Sequence, residues 1–297
     1  MNELLLVVIV QVCLESLPIS SSGHMMLASM LCEKLNNFSY ALPEHFDHFL
    51  HGPTLVVLLT FFFSSWWPVV KRCAGALAAA VRGCKLSDSQ QRGVRLAMHV
   101  ISWAFVADVV SVGVYSIGKL LFKFGLPAVA LAKEGIMPNS EILLIGFCVT
   151  MLLFAALWVH EKYNDNNKNF LGFINSALIL GFVQGLALVP GISRFAINFV
   201  TARLLGYPPR RAFQASFVIF IPLVIAGFLV NGVGELIKHP EWFEIFTPAL
   251  IVTMLLSTIV AYALFVLAHR IVLARKMSMF GLYMIVPIGL LVWLMVG

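Results

Sequence analysis

The chain has 297 residues, 60% of them hydrophobic and only 11% charged, with a net charge of +6. A soluble domain carries about a quarter charged residues, so this composition excludes one and points to a membrane chain. The apolar runs are long and continuous rather than alternating, which excludes a β-barrel and leaves helices that satisfy their own backbone in lipid. The positive charge is not a nucleic-acid signal, because the basic residues sit between apolar runs, where membrane orientation explains them.

In chain order, the first run, Leu4–Leu17, breaks at Pro18 and is followed by His24–Leu31. It lacks the basic start of a signal peptide and carries Glu3 and Glu15, so it reads as part of the folded protein. Pro53–Val70, Val94–Ile117 and Ile142–Val159 come next. Eighteen residues rise roughly 27 Å, close to the thickness of a hydrocarbon core, so each run is predicted to cross. A second interrupted run, Leu171–Val189, breaks at Pro190 and is followed by Phe195–Leu205; three more crossings, Ala212–Val230, Pro248–Ala268 and Phe280–Val296, complete the chain. The expected fold is an all-α polytopic membrane bundle of about six transmembrane helices plus two re-entrant helix pairs, forming a single membrane domain. Five cysteines (Cys13, Cys32, Cys73, Cys84 and Cys148) are scattered without metal-binding spacing and read as free thiols.

The two interrupted runs resemble each other. Val10-Gln11 precedes Pro18 and Ser20, and Val183-Gln184 precedes Pro190 and Ser193. Each pair is followed by three crossings. The chain therefore divides into residues 1–159, with a re-entrant pair at 4–31, and residues 171–297, with a pair at 171–205. Three crossings invert the second copy, and inverted repeats put their broken helices at a shared site near the midplane. On this topology the segments 71–95, 160–170, 203–211 and 269–278 share one side and hold fourteen of the twenty Lys and Arg. That side is expected to be cytoplasmic, with the first re-entrant pair opening outward.

Ionisable residues at membrane depth are costly and mark function. Glu15 stands one turn after Gln11 on the same helix face. The joint that follows, Pro18-Ile19-Ser20-Ser21-Ser22-Gly23-His24, is a Ser/Gly stretch opening a helix, which presents free N–H groups to an anion. The second joint, Pro190-Gly191-Ile192-Ser193-Arg194, adds a guanidinium that forks onto phosphate oxygens. Together these make a candidate phosphate cradle, beside a carboxylate and an amide that suit a divalent cation. A plainer reading stands next to it: serines that pack helices, joints that are kinks, and an Arg194 that neutralises Glu15.

At these residues the sequence resembles the undecaprenyl-diphosphatases, also called bacitracin-resistance proteins. The resemblance rests on Gln11-x-x-x-Glu15-Ser-Leu-Pro18-Ile-Ser20-Ser21-Ser22-Gly23-His24, on Pro190-Gly191-Ile192-Ser193-Arg194-Phe195, and on the stretch from Arg211 through Ser216 and Phe217 to Pro222 and Gly227. It covers nearly the whole chain. It implies a hydrolase that releases phosphate from undecaprenyl diphosphate, recycling the lipid carrier of cell-wall synthesis at the bacterial inner membrane, and a link to antibiotic resistance. It also implies that a divalent cation, Mg or Ca, is held by Glu15 with Gln11. Ser21 would be the nucleophile, with His24 the alternative or the general acid/base. Arg194 would bind the diphosphate with Ser193, Ser20, Ser22 and Gly191. The implied partners are a polyprenyl diphosphate lipid and the bilayer; copy number is open, a homodimer being one option. A transporter or flippase for an anion or polyprenyl phosphate, and an inactive relative, are the rival readings.

The chain departs from the family pattern in places. Gln11 stands where an acid is usual, Phe195-Ala196 replaces Ser-Gly, Asn198 replaces Thr, and Asp108 appears in a span where a Gly/Pro stretch is expected. Asp108 is expected either to line the substrate cavity or to pair inside the bundle, and His99 lies on the same span. His45, His48 and His51 recur every third residue; they read as an interfacial loop rather than a metal site.

Overall fold

The computed structural model describes residues 2–36, 46–123, 140–163, 172–187 and 189–296. These residues are almost entirely helical, with no strand among them. His45 lies outside the described residues.

Among the described residues, six helical stretches are long and apolar enough to cross a membrane. They are α4 (His51–Val81), α5 (Asp88–Lys123), α6 (Ser140–Tyr163), a stretch running from α9 (Pro209–Ala226) through a π-helical turn (Gly227–Val233) into α10 (Gly234–Lys238), α11 (Pro248–Leu273), and α12 (Met279–Tyr283) with α13 (Ile285–Val296). Several outrun the apolar runs that predict them. The α4 helix continues past Val70 to Val81, and α5 begins at Asp88 rather than Val94. Much of the basic segment 71–95 is therefore helix rather than loop, because Lys and Arg are good helix formers and carry the ends past the apolar core.

Among the described residues a one-turn helix, α3 (Phe46–Phe49), precedes α4, and four other α-helices of more than ten residues are too short to cross. They are α1 (Asn2–Glu15, 14 residues), α2 (Ser21–Asn36, 16 residues), α7 (Phe173–Leu186, 14 residues) and α8 (Arg194–Leu204, 11 residues). Fourteen residues rise only about 21 Å against a core of roughly 30 Å. The sequence stops each first half. Helix α1 ends in tightened turns, Ser16 N–H to the Cys13 carbonyl at 3.2 Å and Leu17 N–H to the Leu14 carbonyl at 3.1 Å, before Pro18, which has no N–H to donate. Helix α7 closes at Ala187, and the chain turns through Pro190 and Gly191.

The packing of the short helices is reciprocal. Helix α7, of the second pair, lies along α5, a span of the first half, and α1, of the first pair, lies along α11, a span of the second half. Likewise α8 packs on α6, and α2 on α13. Each interrupted pair is thus embraced by the other half's spans. The outer faces are apolar and open, as lipid-facing surface should be: Phe105 is 67% exposed and Ile259 67%. Inside, a ring stack joins α4, α8, α9 and α11. Phe217 lies 4.9 Å from Phe195, Phe213 and Phe265, and Phe62 stacks on Trp66 at 5.0 Å. Two of these rings, Phe195 and Phe217, also line the cavity between the two joints. A second apolar cluster, around Phe147, Leu143 and Met284, lies beside the first joint.

Candidate active site

The tips of the two interrupted pairs touch. A Cβ added at Gly23 would stand 2.8 Å from the Cα of Gly191. Gly191 has φ +88°, a conformation that glycine adopts without penalty, and α6 presses close against it: a Cβ there would meet the Leu143 carbonyl at 2.7 Å. Thr150 on α6 pins the same turn twice. Its hydroxyl donates to the Gly191 carbonyl at 2.8 Å and accepts from the Ser193 N–H at 3.0 Å. Thr150 is buried in an otherwise apolar span, and sequence reading missed it.

Each joint ends in a capped helix start. Ser20 caps α2, its hydroxyl accepting from the Gly23 N–H at 3.2 Å. Ser193 caps α8, its hydroxyl accepting from the Ala196 N–H at 3.2 Å. The next residues, Ser21 and Arg194, are the first of their helices. Both therefore sit where unpaired N–H groups and the positive end of the helix dipole converge.

Between these starts lies a cavity. Its polar wall is Glu15, Ser20, Ser21, Ser22, Ser193 and Arg194, with Ser216; its apolar wall includes Leu17, Ile19, Ile192, Phe195, Phe217 and Phe220. The Arg194 guanidinium stands 5.3 Å above the Phe220 ring. Six of the nine residues singled out from sequence thus line one cavity. The other three stand around it. Gly191 is the contact turn just described. Gln11 is buried one turn before Glu15, does not reach the wall, and leaves its Oε1 without a hydrogen bond. His24 is turned away: its Nδ1 is 2.6 Å from the Ser20 carbonyl, its ring stacks on Tyr283 with centroids 5.8 Å apart, and its Nε2 is 3.1 Å from the Tyr283 hydroxyl.

Two residues at the start of α4 complete the site. His51 is buried, with Nδ1 2.5 Å from Oε1 of Glu15, and the Thr54 hydroxyl donates to Oε2 at 2.5 Å. His51 is therefore no loop residue; it opens the first span one turn before Thr54. Their polar i, i+3 spacing at the head of an apolar helix was the available signal. His48 packs near it, ring centroids 5.9 Å apart, against the π-helical turn.

The departures from the family pattern find partners. Phe195 belongs both to the cavity wall and to the ring stack: its ring packs on Phe217 and, at 5.6 Å, on Phe199, so its bulk is taken up by the core. Asp108 and Asn198 belong together. Gln184 donates to Asp108 Oδ1 at 3.1 Å and to the Ile219 carbonyl at 3.2 Å, and Asn198 donates to Gln184 Oε1 at 2.7 Å. Asp108 thus pairs inside the bundle and does not line the cavity. His99 packs on Phe173, ring centroids 4.0 Å apart and planes tilted by 36°, also away from it.

The donor set expected to hold a divalent cation fits a resident ion poorly. The Thr54 hydroxyl donates to one oxygen of Glu15 and His51 Nδ1 stands against the other, Gln11 contributes no charge, and no group of three or more His, Cys, Asp or Glu side chains that could hold a metal converges among the described residues. The arrangement sets two helix N-termini and a guanidinium opposite an apolar wall, a setting that favours an anionic group carrying an apolar tail.

Comparison with known proteins agrees with this geometry. The chain is similar to the undecaprenyl-diphosphatase of Korarchaeum cryptofilum, 28% identical over 286 residues that cover 96% of this chain and 95% of that one. It is similar to that of Desulfosudis oleivorans, 25% identical over 289 residues (96% and 95%), and to that of Borrelia recurrentis, 27% identical over 249 residues (83% and 82%). The family model described as bacitracin resistance protein BacA matches residues 4–291, taking in both joints and every wall of the cavity. The chain belongs to the bacitracin resistance protein BacA family.

Proposed function

We propose that this protein hydrolyses a polyprenyl diphosphate, undecaprenyl diphosphate in the first instance, to the monophosphate and inorganic phosphate, returning the lipid carrier of cell-wall synthesis at a bacterial inner membrane. The observation that carries this reading is that Ser21 and Arg194, the first residues of two half-helices far apart in sequence, line one cavity whose remaining wall is apolar. The diphosphate head fits the N–H groups and the guanidinium, and the isoprenoid chain lies against Phe195, Phe217 and Phe220.

In the proposed reaction the Ser21 hydroxyl oxygen attacks the terminal phosphorus and gives its proton to Glu15, the carboxylate on the same wall. The bond from that phosphorus to the bridging oxygen breaks, and the polyprenyl monophosphate leaves with the electron pair. Water then hydrolyses the phosphoserine, and phosphate departs. Arg194 and the two helix starts hold the charge that builds on the phosphoryl oxygens. His51 and Thr54 fix the carboxylate that receives the proton. Ser21 is favoured over His24 as nucleophile because it lines the cavity and His24 does not. The basic distribution supports an outward-opening site.

The reciprocal packing of the interrupted pairs supports an inverted repeat, an architecture that secondary transporters also use, and so favours a second reading: movement of a polyprenyl phosphate or other anion. Purified protein in detergent, given a polyprenyl diphosphate, separates the two. Release of inorganic phosphate supports hydrolysis. No release, together with substrate-dependent lipid movement in liposomes, supports the transporter.

A further inference from the structure

We infer that a divalent cation is not resident in this site but enters it already bound to the diphosphate, so that the species recognised is a cation–diphosphate complex. The inference rests on the phosphatase reading and narrows it.

Glu15 is the one carboxylate among the residues lining the cavity. His51 Nδ1 stands on one of its oxygens and the Thr54 hydroxyl on the other, each at 2.5 Å. Arg194 shares the wall, close enough for its charge to act on the carboxylate. The formal charges of Glu15 and Arg194 cancel, and two helix N-termini add positive potential on top. Gln11, one turn back, offers an amide oxygen without charge and does not reach the cavity. No group of three or more His, Cys, Asp or Glu side chains that could hold a metal ion is found among the described residues.

A bare divalent cation thus meets a neutral-to-positive wall whose one carboxylate already stands against His51 and Thr54. A diphosphate meets the same wall favourably. The two phosphate groups of a diphosphate chelate a hard cation between them, and magnesium in particular keeps several waters and is commonly carried by substrate phosphates rather than by a protein cage. The protein supplies anion binding, and the substrate supplies the metal's ligands.

The test is equilibrium binding of Mn2+, read by electron paramagnetic resonance after rapid gel filtration of the purified full chain in detergent. It is run with and without farnesyl methylenediphosphonate, whose P–C–P bridge cannot be hydrolysed. The expected result is stoichiometric Mn2+ retention only with the analogue. That retention should be lost in Arg194→Ala and reduced in Arg194→Lys, both first shown by thermal melting to be folded. Background retention that is equal in wild type and Glu15→Gln is subtracted. Retention by the protein alone that is abolished in Glu15→Gln overturns the inference, and so does retention in neither condition. Because the readout is binding, its failure is separable from failure of the hydrolase reading. A chain that retains the ternary complex but releases no phosphate refutes hydrolysis alone. One that turns over with Glu15-dependent Mn2+ already bound refutes this inference alone.

Discussion

His51 Nδ1 and Glu15 Oε1 lie 2.5 Å apart, joining the start of the first span to the end of the first half-helix. The Glu15 side chain is only 4% exposed, so its charge depends on His51 and Thr54 for compensation. Removing a polar partner from a buried carboxylate leaves part of its burial uncompensated and costs on the order of 3 kcal/mol. His51→Leu is expected to lower unfolding stability by about that amount. The Glu15→Gln/His51→Leu double variant should lose less than the sum of the two singles. Thermal melts in detergent of the four proteins check this; additive losses would show that the pair is not coupled.

The second joint is built around close backbone contact. Gly191→Ala places a Cβ at φ +88° and 2.7 Å from the Leu143 carbonyl; Gly146→Ala places one 2.0 Å from the Pro190 carbonyl. Neither neighbour is a flexible side-chain tip, so both variants are expected to melt lower and to lose phosphate release. Gly113→Ala, where nothing lies within 4 Å of the new methyl, is the matched control. It should be neutral or gain a few tenths of a kcal/mol, up to about 1, from helix propensity.

Thr150→Val keeps shape and removes the hydroxyl that serves both Gly191 and Ser193. Leaving buried polar partners unmade costs roughly 1–3 kcal/mol. Because Ser193 caps the helix that carries Arg194, the variant should also raise KM for the diphosphate more than it lowers kcat. Steady-state phosphate release over a substrate series measures the split.

Asp108→Asn is nearly isosteric and retains an oxygen for the Gln184 amide. Asp108 does not line the cavity, so turnover is expected to stay within about twofold of wild type, in line with the small effect typical of changes outside a site. A large loss of kcat would place Asp108 in the chemistry after all.

Much of this molecule is legible in its sequence because lipid imposes simple rules. The six spans follow from run length. The two broken pairs follow from Pro18 and Pro190 interrupting runs too short to cross. Ser20–Ser22 and Ser193-Arg194 stand out because Ser, Gly and Arg are costly at that depth without a partner. What stayed hidden was pairing between segments. His51 and Thr54 look like the edge of a span until α4 is set beside α1, and Thr150 looks like one hydroxyl satisfying its own helix. Phe195 reads as an intrusion on the anion site until its ring is seen stacked into the core. Asp108 and Asn198 look like two unrelated departures, and Gln184 shows them to be one network. Helix ends were also underestimated, since α4 and α5 carry their basic residues as helix beyond the apolar core.

Activity in this protein requires two distant joints to form one working site. The most direct measurement is phosphate release from a polyprenyl diphosphate by purified wild type and by Ser21→Ala and Arg194→Ala, one change in each joint. The account predicts release by wild type and a loss of about 100-fold or more in kcat/KM for each variant, the scale seen when a nucleophile or a charge-stabilising donor is removed. Wild-type turnover in either variant, with the protein folded, would contradict it.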